Sequence, residues 1–587
     1  MPLPDAFAIC EKKALAALYT VAPNAPPLTI PLHSTPSAQP CGHPMLFNAY
    51  EFILLFWPLT LILFFQIGRL KQIRLATLWL VVASFFFYGW WNPAYLLLLI
   101  ASILVNYCLG MALSSARFSQ AVLKGVLVAG IALNLAALGY FKYASFFADN
   151  INAVFKADFN VGTILLPLGI SFFTFQQVAY LIDAYAGKTK EYRFLDYCLF
   201  VSFFPQLIAG PIVHHNDMMG QFSRSSTYRL NDENIAVGLS IFSMGLFKKV
   251  MLADTIATFA TPVFNAAASG TVLTFWDGWI GALAYTLQLY FDFSGYSDMA
   301  IGIARTFGIK LPLNFNSPYK ADSISDFWRR WHITLSHFLR DYLYIPLGGS
   351  RRGSLIRYRN LIITMTLGGL WHGAGWTYVV WGLLHGVYLV LHRVWTQWCK
   401  SLGQPCLLAR PISVLITFVA VMVSWVFFRA ATLTAAFSIL KSMAGLNGLS
   451  LPASLGGKLG VLSSAGIRFE GLSSGNFVTV SALGWIVVLL AIVWCMPNSQ
   501  QWMANYEPAL HFQPEVQAEA EPVGNARALS SPRSYRQKLS DLVVYGVRKL
   551  SMLRWKPSIQ WALIYSSLSY WTVLSLAKES EFIYFQF

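Results

Sequence analysis

The chain has 587 residues, of which 56% are hydrophobic, 16% aromatic and only 12% charged. A soluble domain carries about 25% charged residues, so this composition, with a mean hydropathy of +0.53, argues against a soluble enzyme and for a polytopic membrane protein. The net charge of +16 is spread over the loops between apolar runs; topology and anionic lipid account for it, and nucleic acid is not an expected partner.

Residues 1–44 include "VAPNAPPLTIPLHSTPSAQPCGHP", rich in Pro, Ala and Ser and without periodicity. This stretch is expected to be a disordered leader or a mis-assigned start. It lacks the charged beginning and continuous apolar core of a signal peptide, and the functional chain is expected to begin near Met45. Residues 45–498 are then expected to form one membrane core. A spanning helix needs about 20 mainly apolar residues. Candidates fall at 50–67, 75–91, 94–113, 122–141, 162–184, 195–213, 234–262, 273–300, 359–376, 377–397, 411–429, 478–496 and 559–577. The spacing predicts an all-α polytopic fold of about 11–13 membrane elements. "FFPQLIAGPIVHHND" has two prolines and a glycine, which predicts irregular backbone inside protein. Arg69, Lys71 and Arg74, then Arg117 and Lys124, then Lys188, Lys190 and Arg193 make every second loop basic, hence cytoplasmic; the uncharged loop 91–93 falls outside. Residues 499–558 read as a linker and a basic cytoplasmic segment, with eight Lys or Arg against Asp541 alone in 527–556. Residues 559–587 read as a terminal membrane helix and tail. None of the seven cysteines sits in a CxxC pair, so packing is expected rather than a disulfide framework or metal site.

The densest polar stretch is "SISDFWRRWHITLSHFLRDYLYIPLGGSRRG", residues 323–353. The pattern predicts a helix from Asp326 to about Tyr344, with Arg329, His332, Ser336 and Arg340 on one face. Asp326, Arg330, His337 and Asp341 form a neighbouring stripe. An amphipathic helix at the membrane surface is one reading; the wide polar arc favours packing around a wet cavity. Upstream, Asp292 and Asp298 lie in the apolar run "LQLYFDFSGYSDMAIG". Carboxylates at that depth need partners, and the arginines of 329–340 are the candidates. "NFNSPY" offers an amide-rich turn with Asn316 before Ser317-Pro318.

"LGGLWHGAGWTYVVWGLLHG", residues 367–386, has no Asp, Glu, Lys or Arg yet keeps His372 among glycines. An imidazole at that depth marks function, or it bonds another helix as structural glue. His214, His215, His385 and His392 are assigned no role. Two histidines in a membrane cavity suit general base catalysis of acyl transfer to a hydroxyl. No GxSxG elbow, P-loop, HExxH or metal cluster accompanies them. A transporter or export channel also has many spans and intramembrane charges, but no repeated halves are visible. A scaffold needs fewer buried ionisable groups.

"FDFSGYSDMAIG", "FWRRWHITLSHFLRDYLYIPLGG" and "LGGLWHGAGWTYVVWGLLHG" resemble the membrane-bound O-acyltransferase (MBOAT) family, in particular its bacterial, alginate O-acetylation branch. "VSFFPQLIAGPIV" and "EFIYFQF" add to the likeness. The resemblance implies a ring of tilted helices around a central funnel or tunnel. It implies His372 and His332 as catalytic residues. From the polar and aromatic pattern around them, Trp371, Asn316, Arg329, Arg330, Ser336 and Asp298 are taken as tunnel-lining or substrate-binding candidates. The expected activity is transfer of acetyl from acetyl-CoA or a similar cytoplasmic thioester, with no bound cofactor, toward a periplasmic acceptor. A periplasmic acetyltransferase partner and exopolysaccharide machinery in the bacterial inner membrane would complete the system. Cellulose or another cell-envelope polymer is the alternative final acceptor, and a polysaccharide or lipid transporter the alternative function.

Overall fold

A computed structural model describes residues 45–189, 193–402, 409–450, 463, 477–512 and 555–577. The leader 1–44, most of the basic segment and the tail beyond 577 lie outside the described residues. Their regular structure is helical, with an isolated β-bridge between Pro312 and Leu510. The fold is the all-α polytopic one the sequence predicts.

Helices longer than one turn are numbered in chain order. The first part holds α1 (Trp57–Arg69), α2 (Ile73–Gly89), α3 (Pro93–Leu113), α4 (Gln120–Leu138) and α5 (Ala144–Phe155). Next come α6 (Ile170–Tyr185), α7 (Phe194–Ser202) and α8 (His215–Phe222). The centre is built by α9 (Asp232–Phe247), α10 (Asp254–Ala268), α11 (Phe275–Thr306), α12 (Ile324–Arg330) and α13 (Ile333–Leu339). The chain continues with α14 (Ser354–His372), α15 (Trp376–Ser401), α16 (Arg410–Arg429), α17 (Leu433–Met443), α18 (Val480–Cys495) and α19 (Ile559–Leu574). Among the described residues five helical segments are long and apolar enough to cross a bilayer: 52–69, 93–113, 120–155, 232–268 and 410–429.

Local sequence explains several boundaries. Asn92 accepts from the Ala94 backbone N–H, and Pro93 at the first helical position needs no donor, so "WNP" starts α3. Thr274 and Asp277 form a capping box at the head of α11. The span expected at 162–184 is shorter than predicted: the helix begins only at Ile170, because Pro167 and the left-handed Gly169 (φ 69°) interrupt it. Between α7 and α8, residues 203–214 hold one helical turn, Phe204–Leu207, and are otherwise irregular, in keeping with the proline-rich motif. Among the described residues four π-helical turns interrupt the long elements, at Phe52–Phe56, Gly139–Tyr143, Lys248–Ala253 and Arg340–Tyr344.

The 32-residue α11 is the central post, buried over nearly its entire length. It crosses α9 closely because both are glycine-marked there. A Cβ on Gly302 would fall 2.6 Å from the Gly238 carbonyl oxygen, and one on Gly295 2.8 Å from that of Gly245. Small residues let helices approach within the bilayer, where lipid gives no hydrophobic drive for association.

Asp292 and Asp298 of α11 do not pair with the arginines of 329–340. Lys248 lies 2.6 Å from Asp298, and Lys249 2.7 Å from both Asp292 and Asp254. The π turn after α9 turns two consecutive lysines toward α11, which regular helical spacing does not anticipate. Ser499 and Gln500 complete the shell around Asp298 at 2.6 and 3.1 Å. Packing continues past Asn498: Leu510 exchanges backbone bonds with Leu311 and Leu313, and Glu507 pairs with Lys310 at 2.7 Å. Cys399 is disulfide-bonded, against the packing expected from cysteine spacing; the lack of a CxxC pair does not bar a bond between more distant cysteines.

Candidate active site

The helix expected from Asp326 to Tyr344 is broken at its middle. His332 takes the left-handed conformation (φ 41°, ψ 54°) between α12 and α13. For a residue with a Cβ this costs on the order of 1–3 kcal/mol, and it persists because the extended segment 314–316 clamps the break from both sides. Asn316 N–H donates to the Arg330 carbonyl at 2.9 Å, and Ile333 N–H to the Asn314 carbonyl at 3.0 Å. The break separates the predicted face. His332 turns inward and is fully buried, whereas Arg329 stays exposed.

The Asn314 side chain fixes the His332 ring. Its Oδ1 accepts from the Thr334 backbone N–H (3.3 Å) and hydroxyl (2.9 Å). Ile212 N–H in turn donates to the Thr334 hydroxyl at 3.1 Å. His332 Nδ1 lies 3.1 Å from the same oxygen. An oxygen that already receives an amide proton cannot donate, so Nδ1 carries the imidazole hydrogen and Nε2 the lone pair.

His372 is the last residue of α14, and Gly373 leaves in extended conformation. The carbonyls of a helix's last turn lack intrahelical donors. Here they are capped from the π turn at Gly139–Tyr143. Tyr143 donates to the Leu370 carbonyl at 2.8 Å, and the Lys142 ammonium to those of Trp371 (2.6 Å) and His372 (3.0 Å). The α14–α15 hairpin is drawn tight beneath, since a Cβ on Gly369 would meet the Tyr378 carbonyl oxygen and the Gly382 backbone. The rings of His372 and His332 are 6.3 Å apart between centroids. Trp371, Trp381 and Phe428 enclose His372 at 4.8, 5.0 and 5.2 Å. Its Nδ1 is buried without a hydrogen-bond partner.

A cavity of about 340 Å³ lies beside His372. His372, Trp371, Lys142, Ser171, Gly169 and Trp91 are in its wall. The Trp371 indole is stacked on Phe175 at 5.1 Å and stands 6.2 Å from the His332 ring. His372 is in the wall of this cavity and His332 is not. Among the described residues no three His, Cys, Asp or Glu side chains are grouped as a metal site.

The other candidates from the sequence stand apart. Arg329 and Arg330 both pair with Asp326, at 3.1 and 2.7 Å. Asn316 accepts from the Asn498 side chain at 2.8 Å, and half-buried Ser336 donates to the Trp331 carbonyl at 3.4 Å. Asp298 is held in its lysine pair and is not in the cavity wall. His385 accepts from the Trp328 indole at 3.3 Å. Sequence reasoning missed Asn314, which lies two residues from the asparagine it chose, and Lys142. The signal for Lys142 was a lone cation at the end of an apolar run, between Phe141 and Tyr143.

Residues 85–431 match the family model described as MBOAT, membrane-bound O-acyltransferase family. The chain is similar to the peptidoglycan O-acetyltransferase of Helicobacter pylori, 49% identical over 435 residues that cover 69% of this chain and 81% of that protein. It is 38% identical to the probable alginate O-acetylase AlgI of Pseudomonas aeruginosa over 556 residues, covering 92% of this chain and 100% of the other. A teichoic acid D-alanyltransferase of Streptococcus thermophilus is 29% identical over 289 residues, 45% of this chain and 69% of that protein.

Proposed function

The chain belongs to the membrane-bound O-acyltransferase family, and from that premise we propose that it moves an acetyl group from a cytoplasmic acyl thioester to a hydroxyl on the outer side of the bacterial inner membrane, for O-acetylation of an exopolysaccharide. The observation that carries this reading is the His372–His332 pair beside a cavity, with ring centroids 6.3 Å apart. Trp91 belongs to the uncharged loop that the basic-loop pattern assigns to the outside, so the cavity is read as the acceptor's approach.

His372 acts as general base. It takes the hydroxyl proton while the oxygen attacks the thioester carbonyl, and returns that proton to the departing thiolate. Positioned base catalysis of this kind contributes about 10²–10⁴-fold. His332, neutral and turned by Asn314, offers its Nε2 lone pair to the donor side of the same centre. Acetyl-CoA or a similar thioester is substrate, and no bound cofactor is called for. Trp371 shapes the passage. A periplasmic acetyltransferase receives the group and places it on the polymer.

The names of similar proteins favour acetyl over D-alanyl, since those with higher identity are called O-acetyltransferase or O-acetylase. They divide on the polymer: alginate for one group and peptidoglycan for another at 49% identity. Peptidoglycan is therefore the second reading.

The test uses purified protein in nanodiscs with radiolabelled acetyl-CoA. Polymer from the source organism is supplied with and without periplasmic extract. Label reaching polymer only with extract, and lost in His372→Ala protein present at normal level in the membrane, supports the relay. Parallel loss of transfer and of folded protein in His372→Ala would make His372 structural. No thioester turnover by well-folded protein would end the reading.

A further inference from the structure

A second cavity, of about 320 Å³, shares no wall residue with the one beside His372. The end of α9, the π turn after it, the middle of α11, the end of α18 and one face of α19 bound it. Its apolar wall includes Met244, Phe247, Phe291, Ile492 and Leu568. Polar side chains also reach the wall, but they are bonded within the protein. Lys248 is held by Asp298 and Ser499, the Ser499 hydroxyl donates to Asp298, and Asn498 donates to the Ser317 hydroxyl. A hydrocarbon entering here strands no hydrogen bond, whereas a polar ligand would give up its bonds to water for few in return.

The cavity lies between two helices that rest on different supports. The Ser569 hydroxyl of α19 donates to that of Ser243 on α9 at 2.7 Å, and the Trp494 indole of α18 donates to the Tyr319 carbonyl at 3.2 Å. Between them Ile564, a wall residue, is 52% exposed, so the space opens sideways on a membrane helix. Cations stand at its rim. Lys320 donates to the carbonyl of Met496, a wall residue, at 2.6 Å. The Trp555 N–H donates at 3.2 Å to the carbonyl of Trp502, also in the wall, and so brings the exposed Lys556 alongside. Lys556 closes the run 527–556, whose eight Lys or Arg against one acid mark the cytoplasmic side, where the leaflet is anionic.

An apolar space, a sideways opening and cations at the rim match an amphiphile with a hydrocarbon tail and an anionic head. We propose that this crevice binds an anionic phospholipid of the cytoplasmic leaflet, with one acyl chain between α9, α18 and α19 and the phosphate beside Lys320 and Lys556. At about 320 Å³ the space is at the small end of ligand pockets. It takes part of one chain, and the rest of the lipid stays in the bilayer. The site stands apart from the proposed chemistry at His372 and does not depend on it.

The test uses full-length protein in phosphatidylcholine nanodiscs doped with phosphatidylglycerol or with phosphatidylcholine, the dopant carrying a photoactivatable group at the end of one acyl chain. Adducts formed on irradiation are mapped by peptide mass spectrometry. Phosphatidylglycerol is expected to label peptides 492–499 and 561–568 at least about fivefold more than phosphatidylcholine does, the factor given by one lysine at headgroup level. Leu568→Trp fills the space and removes this labelling. Because Leu568 also packs on the core and its replacement can misfold, Ile564→Trp, at an exposed position, is the second variant. It closes the opening and is expected to lose the labelling in a protein that melts normally. Lys320→Gln combined with Lys556→Gln keeps labelling of these peptides and loses the preference between lipids. Equal labelling by the two lipids in wild type, label spread evenly over the lipid-facing helices, or labelling unchanged in Ile564→Trp overturns the proposal.

Discussion

Nδ1 of His332 and the side-chain oxygen of Asn314 lie 3.1 Å apart, and that one oxygen also takes both hydrogens offered by Thr334. The asparagine therefore sets which imidazole nitrogen is basic. Replacing it with alanine leaves buried donors unmatched, at about 1–3 kcal/mol, and frees the ring to change tautomer. Asn314→Ala is expected to lower the transfer rate at least about tenfold, the size of a 1.4 kcal/mol barrier change. Asn316→Ala, which loses a bond to Asn498 on the far side of the backbone clamp, should leave the rate near wild type. Equal losses in a radiolabel transfer assay would remove Asn314 from the mechanism.

The left-handed backbone at His332 makes a separate forecast about folding. Asparagine visits this region readily, and a β-branched residue does so at high cost. His332→Asn is expected to accumulate as monodisperse protein, while His332→Val should give little or none by size-exclusion of detergent extracts. Comparable yields from the two would mean the break does not need its observed geometry.

The Lys248–Asp298 pair holds π turn, central helix and the 498–502 segment together. Removing one partner strands a buried charge, at roughly 3–5 kcal/mol. Lys248→Met should melt well below wild type in detergent, and adding Asp298→Leu should restore most of the loss. KM for the thioester is expected to stay unchanged in the double variant. A double variant as unstable as the single one would show that the pair is not the unit.

Glycines of opposite surroundings give the simplest stability contrast. An added Cβ at Gly302 meets Gly238 and Phe242 backbone, whereas at Gly125, inside α4, it meets nothing within 4 Å. Gly302→Ala is expected to destabilise by about 1–3 kcal/mol through overpacking. Gly125→Ala should stabilise by about 0.5–1 kcal/mol through its backbone entropy. Shifts of the same sign in a thermal melt would contradict the close α9–α11 crossing.

The sequence disclosed the helices far better than the site. Runs of apolar residues mark α2–α4 and α14–α16 to within a few residues, because bilayer thickness sets their length, whereas the single run 234–262 covers α9, the π turn and only part of α10. His332 and His372 were both legible, as imidazoles in otherwise uncharged or aromatic surroundings. The break at His332 was not, since periodicity continues through it and the left-handed turn is imposed by segment 314–316, far from any local signal. The lysine partners of Asp292 and Asp298 were hidden for a related reason. A π turn widens the helix by one residue, so the faces that Lys248 and Lys249 occupy cannot be counted at 3.6 residues per turn. Lys142 reads as an isolated charge until the end of α14 is beside it.

That last contact is also a matter of time. Lys142 and the His372 carbonyl are 230 residues apart in the chain. Synthesis at about 5–20 residues per second puts roughly 12–46 s between the two. During that interval the α4 end has been made but the carbonyls that receive its ammonium have not, so the lysine must wait in water or among headgroups. Docking of α14 is then the event that draws Lys142 inward. The cavity, whose wall includes both residues, can form only after α14 has been made and has entered the membrane.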